Sequence, residues 1–287
     1  MSPGTQVLPV ERGAYRLYAE LTAGPGEPLV LMHGFPDNTH LYDRLMPHLV
    51  DRRAIVRFDF LGWGRSDKPE NYPYTATNQI GDLDAVVGAT LREGGYEKVV
   101  LVAHDASGPP AIDWALDHPD QVCLLVLLNT YYHWVPELRR PEAIALYSTP
   151  LIRNVTRGVV RLWPDIDRRL FTWQVGRFIR DPAVREELVP KLYEEYLSAR
   201  PAFRRLNNDL LGTVVSRRRR VDDLRRFQPP VAVIFGALDP YLNRDVARRF
   251  AALFPHSSLH LVENAGHYVQ IDMPERVADL MTAELQR

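Results

Sequence analysis

One stretch near the middle of the chain restricts the possible fold more than any other. From Val99 to Ala103 the residues are aliphatic or β-branched, and the polar pair His104-Asp105 follows at once. Small residues come next, so the pattern predicts a buried strand, a tight turn and the start of a helix. Such an elbow pushes one side chain out above the edge of a sheet. We therefore predict that Asp105 is a covalent nucleophile.

Strand and helix patterns alternate on both sides of this stretch. The predicted strands, by residue number, are 15–21, 29–32, 54–58, 99–103, 122–128, 231–235 and 259–262. Helical patterns lie between them, one of them around residues 41–49. This alternation predicts an α/β fold in which helices cover both faces of a mostly parallel sheet.

The alternation stops at about residue 131 and resumes after about residue 220. Between these points the pattern favours helices, for example at 165–175 and 181–197. We therefore predict a core of residues 1–130 and 221–287, interrupted by a helical cap at 131–220. The basic run at 217–220 is interpreted as a solvated helix end.

Composition argues against several classes of function. The 287 residues carry a net charge of −1, which gives no general attraction to nucleic acid or to an anionic membrane. The single cysteine, Cys123, allows neither an intrachain disulfide nor a cysteine metal site. No secretory leader and no run of about 18 apolar residues is recognised. We expect a cytoplasmic protein without metal, cofactor, nucleic-acid partner or membrane partner, while the oligomeric state stays open.

Two further polar residues follow predicted strands. Asp239 comes shortly after the strand at 231–235, and His267 follows the last predicted strand. Because the carboxyl ends of parallel strands share one edge of a sheet, we expect both side chains near Asp105. Each residue alone has an ordinary interpretation, as a helix N-cap or a turn residue. Together, in the order nucleophile, acid, histidine, they favour a catalytic site.

A carboxylate nucleophile suits substrates that a serine does not attack. It is ionised at neutral pH and can displace a leaving group from a saturated carbon, which forms an alkyl ester of Asp105. His267, oriented by Asp239, would then activate water as a general base. The backbone N–H groups of Phe35 and Ala106 are the candidates for the oxyanion hole.

With these residues the chain resembles the α/β-hydrolase superfamily, and within it the aspartate-nucleophile branch of epoxide hydrolases and haloalkane dehalogenases. The resemblance also includes the His33-Gly34-Phe35-Pro36 motif and the glycine-rich loop at 59–69. It covers nearly all of the chain except the insertion. It implies the α/β-hydrolase fold, with a mostly parallel eight-stranded sheet, and a cis bond before the proline of the motif.

The leaving group depends on the cap, where the resemblance is weak. Epoxide hydrolases similar to this chain use two cap tyrosines as donors to the epoxide oxygen. Tyr147 lies near the first of these positions, whereas Asn207 and Asn208 lie near the second. Other candidates for contact with the substrate or leaving group are Tyr193, Tyr196 and Trp134, with Tyr131 and Tyr132 at the cap entrance. The cap aromatics favour a small substrate that is apolar to moderately polar, with water as the second reactant.

Two other functions stay open beside epoxide hydrolysis. Haloalkane dehalogenases usually hold the halide with a tryptophan right after the nucleophile, but that residue is Ala106 here. They also tend to carry a polar side chain where this chain has Phe35. Epoxide opening to a diol is therefore ranked first and carbon–halogen hydrolysis second. A repurposed member of the fold, acting as an isomerase, a cyclase or a binding protein, is the third possibility.

Overall fold

The apolar runs predicted as strands form one sheet. A computed structural model describes residues 4–287. The expectation of no secretory leader rests partly on the first three residues, which lie outside the described residues. The strands are β1 Thr5–Arg12, β2 Tyr15–Thr22, β3 Leu29–Met32, β4 Ile55–Phe58, β5 Val99–Asp105, β6 Val122–Thr130, β7 Val231–Gly236 and β8 Ser257–Val262. Their order across the sheet is β1-β2-β4-β3-β5-β6-β7-β8. Only β1–β2 and β2–β4 pair antiparallel, so the mostly parallel eight-stranded sheet is confirmed.

β5 lies inside the sheet, with β3 on one side and β6 on the other. Its residues from Val99 to His104 are all buried, as are all residues of β3 and β7. A strand that is covered on both faces has no polar face, which explains the continuous apolar runs in the sequence. The carboxyl ends of β5, β6 and β7 consequently lie side by side at one edge.

Ten α-helices occur within residues 4–287, and those of the predicted core pack against the sheet. The ten helices are α1 Ala76–Gly94, α2 Gly108–Asp117, α3 Glu142–Ser148, α4 Ile152–Leu162, α5 Pro164–Gly176, α6 Pro182–Ser216, α7 Val221–Leu224, α8 Arg244–Ala251, α9 Val269–Asp272 and α10 Pro274–Glu284. None of the helices within residues 4–287 is long and apolar enough to cross a membrane.

The helix predicted around residues 41–49 is wrong. This segment forms two short 3₁₀ turns, Thr39–Tyr42 and Met46–His48. Pro47 has no N–H with which to continue an α-helical ladder. The bonds that form instead span three residues, as in the bond that the Leu45 N–H donates to the Tyr42 carbonyl at 2.9 Å.

The described chain forms helices and loops between β6 and β7. The longest helix there, α6, has 35 residues and extends well past the predicted end at residue 197. Asp181 caps it by accepting a hydrogen bond from the Ala183 N–H at 2.8 Å. On its inner side the Phe203 ring meets the Phe35 ring edge-on, with 6.0 Å between centroids. We propose that residues 131–220 form the cap over the sheet edge.

The basic run at 217–220 is not solvated throughout. Arg217 is 7% exposed, and its Nη2 lies 2.6 Å from Oδ2 of Asp113 on α2. Arg220 also contacts Asp113, at 3.4 Å, and Asp117, at 2.7 Å. The interpretation as a solvated helix end is therefore wrong for Arg217. The charge of the basic run alone could not reveal that Arg217 would lie against Asp113 of α2.

Removing the carboxylate of Asp113 should be strongly destabilising. Asp113→Ala leaves the Arg217 guanidinium buried without its partner, so the free energy of unfolding should fall by about 3–5 kcal/mol. Asp222→Ala is the matched control, because Asp222 pairs with Arg225 at 2.8 Å and both side chains are exposed. That change should cost about 0–1 kcal/mol. Urea unfolding followed by circular dichroism measures both, and equal losses would contradict the assignment.

Candidate active site

Asp105 lies at the apex of a sharp turn between β5 and α2. Its φ is +49°, in the left-handed region that non-glycine residues seldom adopt. Ser107 holds the turn, since its Oγ accepts a hydrogen bond from the His104 N–H at 2.9 Å and lies 3.1 Å from the Met32 carbonyl. The Thr130 hydroxyl donates to the Asp105 carbonyl from the neighbouring strand. These contacts keep Asp105 in a strained conformation, as a functional elbow requires.

The loop after β3 passes close to the Asp105 side chain. A Cβ at Gly34 would lie 2.7 Å from the Asp105 Cβ, so only glycine allows this approach. The Phe35 N–H consequently donates to Oδ2 of Asp105 at 3.3 Å, and the Ala106 N–H also bonds the carboxylate. The bond between Phe35 and Pro36 is cis, as the resemblance implied. The two predicted oxyanion donors thus converge on one carboxylate.

His267 lies between two carboxylates. Its Nδ1–H donates to Oδ2 of Asp239 at 2.8 Å, and its Nε2 lies 3.9 Å from Oδ1 of Asp105. Oδ1 of Asp239 accepts from the N–H groups of Tyr241, at 2.8 Å, and Leu242, at 3.1 Å. The structure therefore brings together the three residues predicted to form the triad.

Asn129, near the end of β6, was missed by the sequence analysis. Its Nδ2 donates to Oδ2 of Asp239 at 2.9 Å, while its Oδ1 accepts from the Gly236 N–H at 2.7 Å. The amide thus positions the carboxylate that holds His267. Its signal in the sequence was a polar residue directly after the apolar run at 122–128, at the same sheet edge as the predicted site.

The electrostatics favour a charged His267 in the resting site. Burial alone would lower the pKa of His267, but the charges of Asp239 and Asp105 outweigh it and raise the pKa to about 9. Burial raises the pKa of Asp105, and the charge of His267 opposes that rise. Burial acts in the same direction on Asp239, yet the charge and hydrogen bond of His267 bring its pKa below the usual range. The imidazolium that these charges favour lies between the carboxyl groups of Asp239 and Asp105.

Two further buried groups surround His267. Asp37 directly follows the His33–Pro36 motif and was also missed; its Oδ1 accepts from the Tyr268 hydroxyl at 2.8 Å. Its Oδ2 has no hydrogen-bond partner among the described residues, and burial raises the pKa of Asp37 to about 7. His104 donates from Nε2 to the His267 carbonyl at 3.0 Å, and burial holds the pKa of His104 well below its usual value. His104 thus packs beside the elbow as a neutral group.

A cavity of about 260 Å³ lies over Asp105, between the sheet edge and the insertion. Of the substrate candidates from the sequence, Tyr147, Tyr196 and Trp134 line it. Aliphatic and aromatic side chains form most of the remaining wall, among them Leu170, Phe171, Val175, Phe178, Phe203 and Leu210. The volume lies near the lower end of the range for ligand pockets, which suits a small organic molecule.

Tyr193 does not belong with the other candidates. Its ring packs against Phe171, with 5.3 Å between centroids, and the Arg168 guanidinium lies 5.5 Å from its centroid on another side. Tyr196, three residues along α6, lines the cavity. The two residues are neighbours on α6, with 6.1 Å between their ring centroids, but the Tyr193 ring is not among the groups that line the cavity within the described residues. We correct Tyr193 from a substrate contact to a packing residue behind Tyr196.

The hydroxyl of Tyr147 is already engaged. It donates to Oδ1 of the buried Asp167, whose Oδ2 lies 2.9 Å from Nη2 of Arg200. Burial and the neighbouring Tyr196 and Asp167 raise the pKa of Tyr147. The tyrosine at the position expected from the resemblance therefore already uses its hydroxyl proton in a hydrogen bond to the Asp167–Arg200 ion pair.

The fold and the strand-end cluster define an α/β protein with a sharp strand-to-helix turn at Asp105, on the carboxyl edge of its sheet. The family model of the alpha/beta hydrolase fold matches residues 27–274. The chain therefore belongs to the α/β-hydrolase family, and on that membership we class it as a hydrolase.

Characterised relatives and solved structures agree with this membership. The chain is 27% identical over 264 residues to haloalkane dehalogenase 2 of Mycobacterium tuberculosis, covering 89% of this chain and 86% of that protein. It is 26% identical over 277 residues to a cis-3-alkyl-4-alkyloxetan-2-one decarboxylase of Shewanella oneidensis, covering 90% and 81%. The structure of the epoxide hydrolase CorEH superposes with a TM-score of 0.72 at 22% identity, covering 99% of each chain, and shares the fold.

The charge of Asp105 should be measurable at His267. An NMR titration of the imidazole nitrogens should give a pKa of about 9 in the unmodified protein. Asp105→Asn removes a negative charge 3.9 Å from Nε2, so the pKa of His267 should fall by about 1–3 units. Glu187→Gln, at an exposed position of α6, should leave it unchanged. An unchanged pKa in Asp105→Asn would contradict the electrostatic coupling.

Proposed function

We propose that the protein hydrolyses a small organic substrate through an alkyl ester on Asp105, and that this substrate is an epoxide, which is opened to a diol. The observation that carries the proposal is a cavity over Asp105 whose wall includes the phenol groups of four tyrosines. The substrate and water are the only reactants that the proposal needs.

The first half-reaction follows from the position of the Asp105 carboxylate. Its Oδ2 accepts from the Phe35 N–H, the Ala106 N–H also interacts with the carboxylate, and the charge of His267 lies beside Oδ1. Both interactions favour the ionised form in a buried site. A carboxylate oxygen attacks a carbon of the epoxide, and the carbon–oxygen bond breaks with its electron pair going to the oxygen.

Ester formation then prepares His267 for the second half-reaction. The ester carries no charge, so one of the two carboxylate charges that raise the pKa of His267 is lost. The imidazole can now release its proton and accept one from water, while Asp239 retains it in position. The hydroxide attacks the ester carbonyl of Asp105, and the resulting oxyanion lies where Phe35 and Ala106 donate. Loss of one such donor typically costs about 3 kcal/mol of transition-state stabilisation.

The donors in the cavity favour an oxygen leaving group over a halide. An epoxide oxygen must gain a proton, whereas a halide ion needs only N–H dipoles. Ala106 and Phe35 bring no side-chain donor to the elbow, and the Trp134 side chain is exposed at the cavity wall. The hydroxyl-bearing residues of the wall are Tyr131, Tyr147, Tyr196 and Tyr241. Carbon–halogen hydrolysis remains the second candidate, because haloalkane dehalogenase 2 is among the relatives.

The covalent intermediate should accumulate when the base is removed. His267→Gln, incubated with styrene oxide, should gain the mass of one epoxide per chain, because the ester forms but water is no longer activated. Peptide mapping by mass spectrometry should locate the modification at Asp105. Adding Asp105→Asn to this variant should abolish the gain.

The same experiment separates the alternatives. His133→Gln, which changes a half-buried histidine outside the cluster, should release diol without accumulating an adduct. An adduct with 1-iodobutane but not with any epoxide would favour carbon–halogen hydrolysis. No adduct with either class of electrophile would refute the covalent mechanism and favour a repurposed isomerase, cyclase or binding protein.

A further inference from the structure

The four phenols in the cavity wall differ in what their hydroxyl groups already bind. Tyr147 donates to Asp167, and the side chain of Tyr196 lies close to the Tyr147 hydroxyl. Tyr241 donates to Glu142 at 2.5 Å and accepts from Gln174 at 3.1 Å. The Tyr131 hydroxyl forms no hydrogen bond with any residue in the described part of the chain. Unlike Tyr147 and Tyr241, Tyr131 therefore has a proton that it can give to a substrate without breaking an internal bond.

The backbone of Tyr131 is fixed beside the nucleophile by the sheet. Tyr131 directly follows β6, and the last residue of that strand, Thr130, is the register partner of Asp105 on β5. Neighbouring strands lie about 4.8 Å apart. The hydroxyl of Thr130 also donates to the Asp105 carbonyl, which locks the two strand ends together. The position of Tyr131 thus depends on the core rather than on the cap helices.

On these observations, and resting on the proposed function, we propose that Tyr131 protonates the departing epoxide oxygen. The expectation from the resemblance gave this task to tyrosines of the cap helices. In our proposal the donor is Tyr131, which follows the core strand β6. Tyr147 and Tyr196 then form part of the cavity wall, and the Tyr147 hydroxyl donates to Asp167, the partner of Arg200.

The environment of Tyr131 suits a proton donor. Burial and the charge of Asp105 raise the pKa of Tyr131, so the phenol keeps its proton while Asp105 is ionised. As the ester forms, the negative charge moves from the carboxylate to the departing oxygen. The effect of the Asp105 charge on the phenol disappears at that moment, so the phenol becomes a stronger acid when the oxygen needs a proton.

The proton balance closes with the groups already described. In the first step Asp105 forms a bond to carbon, the carbon–oxygen bond breaks, and the oxygen takes the proton of Tyr131. The phenolate regains a proton through solvent from the imidazolium of His267, whose pKa falls once Asp105 is esterified. His267 then takes a proton from water and returns it to the departing diol oxygen. The carboxyl proton that remains on Asp105 restores the imidazolium.

The test measures the rate of ester formation in the His267→Gln background by intact mass. Adding Tyr131→Phe should slow alkylation by styrene oxide about 100-fold or more, because general acid catalysis contributes 10²–10⁴. Alkylation by 1-iodobutane should stay within about threefold, since iodide leaves without a proton. This second electrophile also reports whether the variant is folded and whether its nucleophile is intact.

Tyr132→Phe is the matched control. Tyr132 is the next residue, but its buried hydroxyl donates to Asp113 at 2.6 Å on α2, so both rates should stay near those of the background. Three results would overturn the proposal: an unchanged rate with styrene oxide in Tyr131→Phe, an equal loss with both electrophiles, or a selective loss with the epoxide in Tyr147→Phe instead. If the background variant forms no adduct with either electrophile, the proposed function fails, and this inference fails with it.

Discussion

The contact on which the site depends is the imidazole of His267 between the buried carboxylate of Asp239 and the partly exposed carboxylate of Asp105. Nδ1 bonds Asp239 at 2.8 Å, and Nε2 faces Asp105 at 3.9 Å. Two closely spaced anions with one cation, removed wholly or in part from water, are stable only where hydrogen-bond donors offset the loss of hydration. The structure supplies them almost entirely from backbone N–H groups at the ends of strands and from the side chain of Asn129. The elbow at Asp105 and the loop of Phe35 are therefore parts of one electrostatic arrangement.

In the mechanism that we propose, this arrangement lets one histidine serve two consecutive steps. While Asp105 is ionised, His267 is held in its charged form and cannot act as a base. Esterification removes the charge at 3.9 Å, and the base becomes available when the ester must be cleaved. The order of the two half-reactions then follows from Coulomb's law and requires no movement of the backbone. Asp239 keeps its hydrogen bond throughout, because its partners are fixed by β6 and β7.

The predictions that succeeded concern residues whose position follows from the strand pattern. Asp105, Asp239 and His267 were placed together because each follows an apolar run, and parallel strands share one carboxyl edge. Asn129 and Asp37 were missed because their roles depend on which strand or loop lies opposite them. Tyr193 and Tyr196 could not be separated in sequence, since only the orientation of α6 decides which one faces the cavity. The same limit applies to Arg217, whose burial depends on Asp113 of another helix.

The division between core and insertion has a consequence for the chemistry. Groups that must be placed to within a fraction of an ångström come from strand ends, whose positions are fixed by the hydrogen bonds of the sheet. The insertion contributes mainly apolar wall, which determines the size and shape of the substrate. Tyr131, the proposed proton donor, is one of the groups placed by a strand end, because the preceding residue, Thr130, pairs in register with Asp105. Under the proposed function, substitutions in the helices at 131–220 can change which epoxide fits without moving the proposed nucleophile, base and acid.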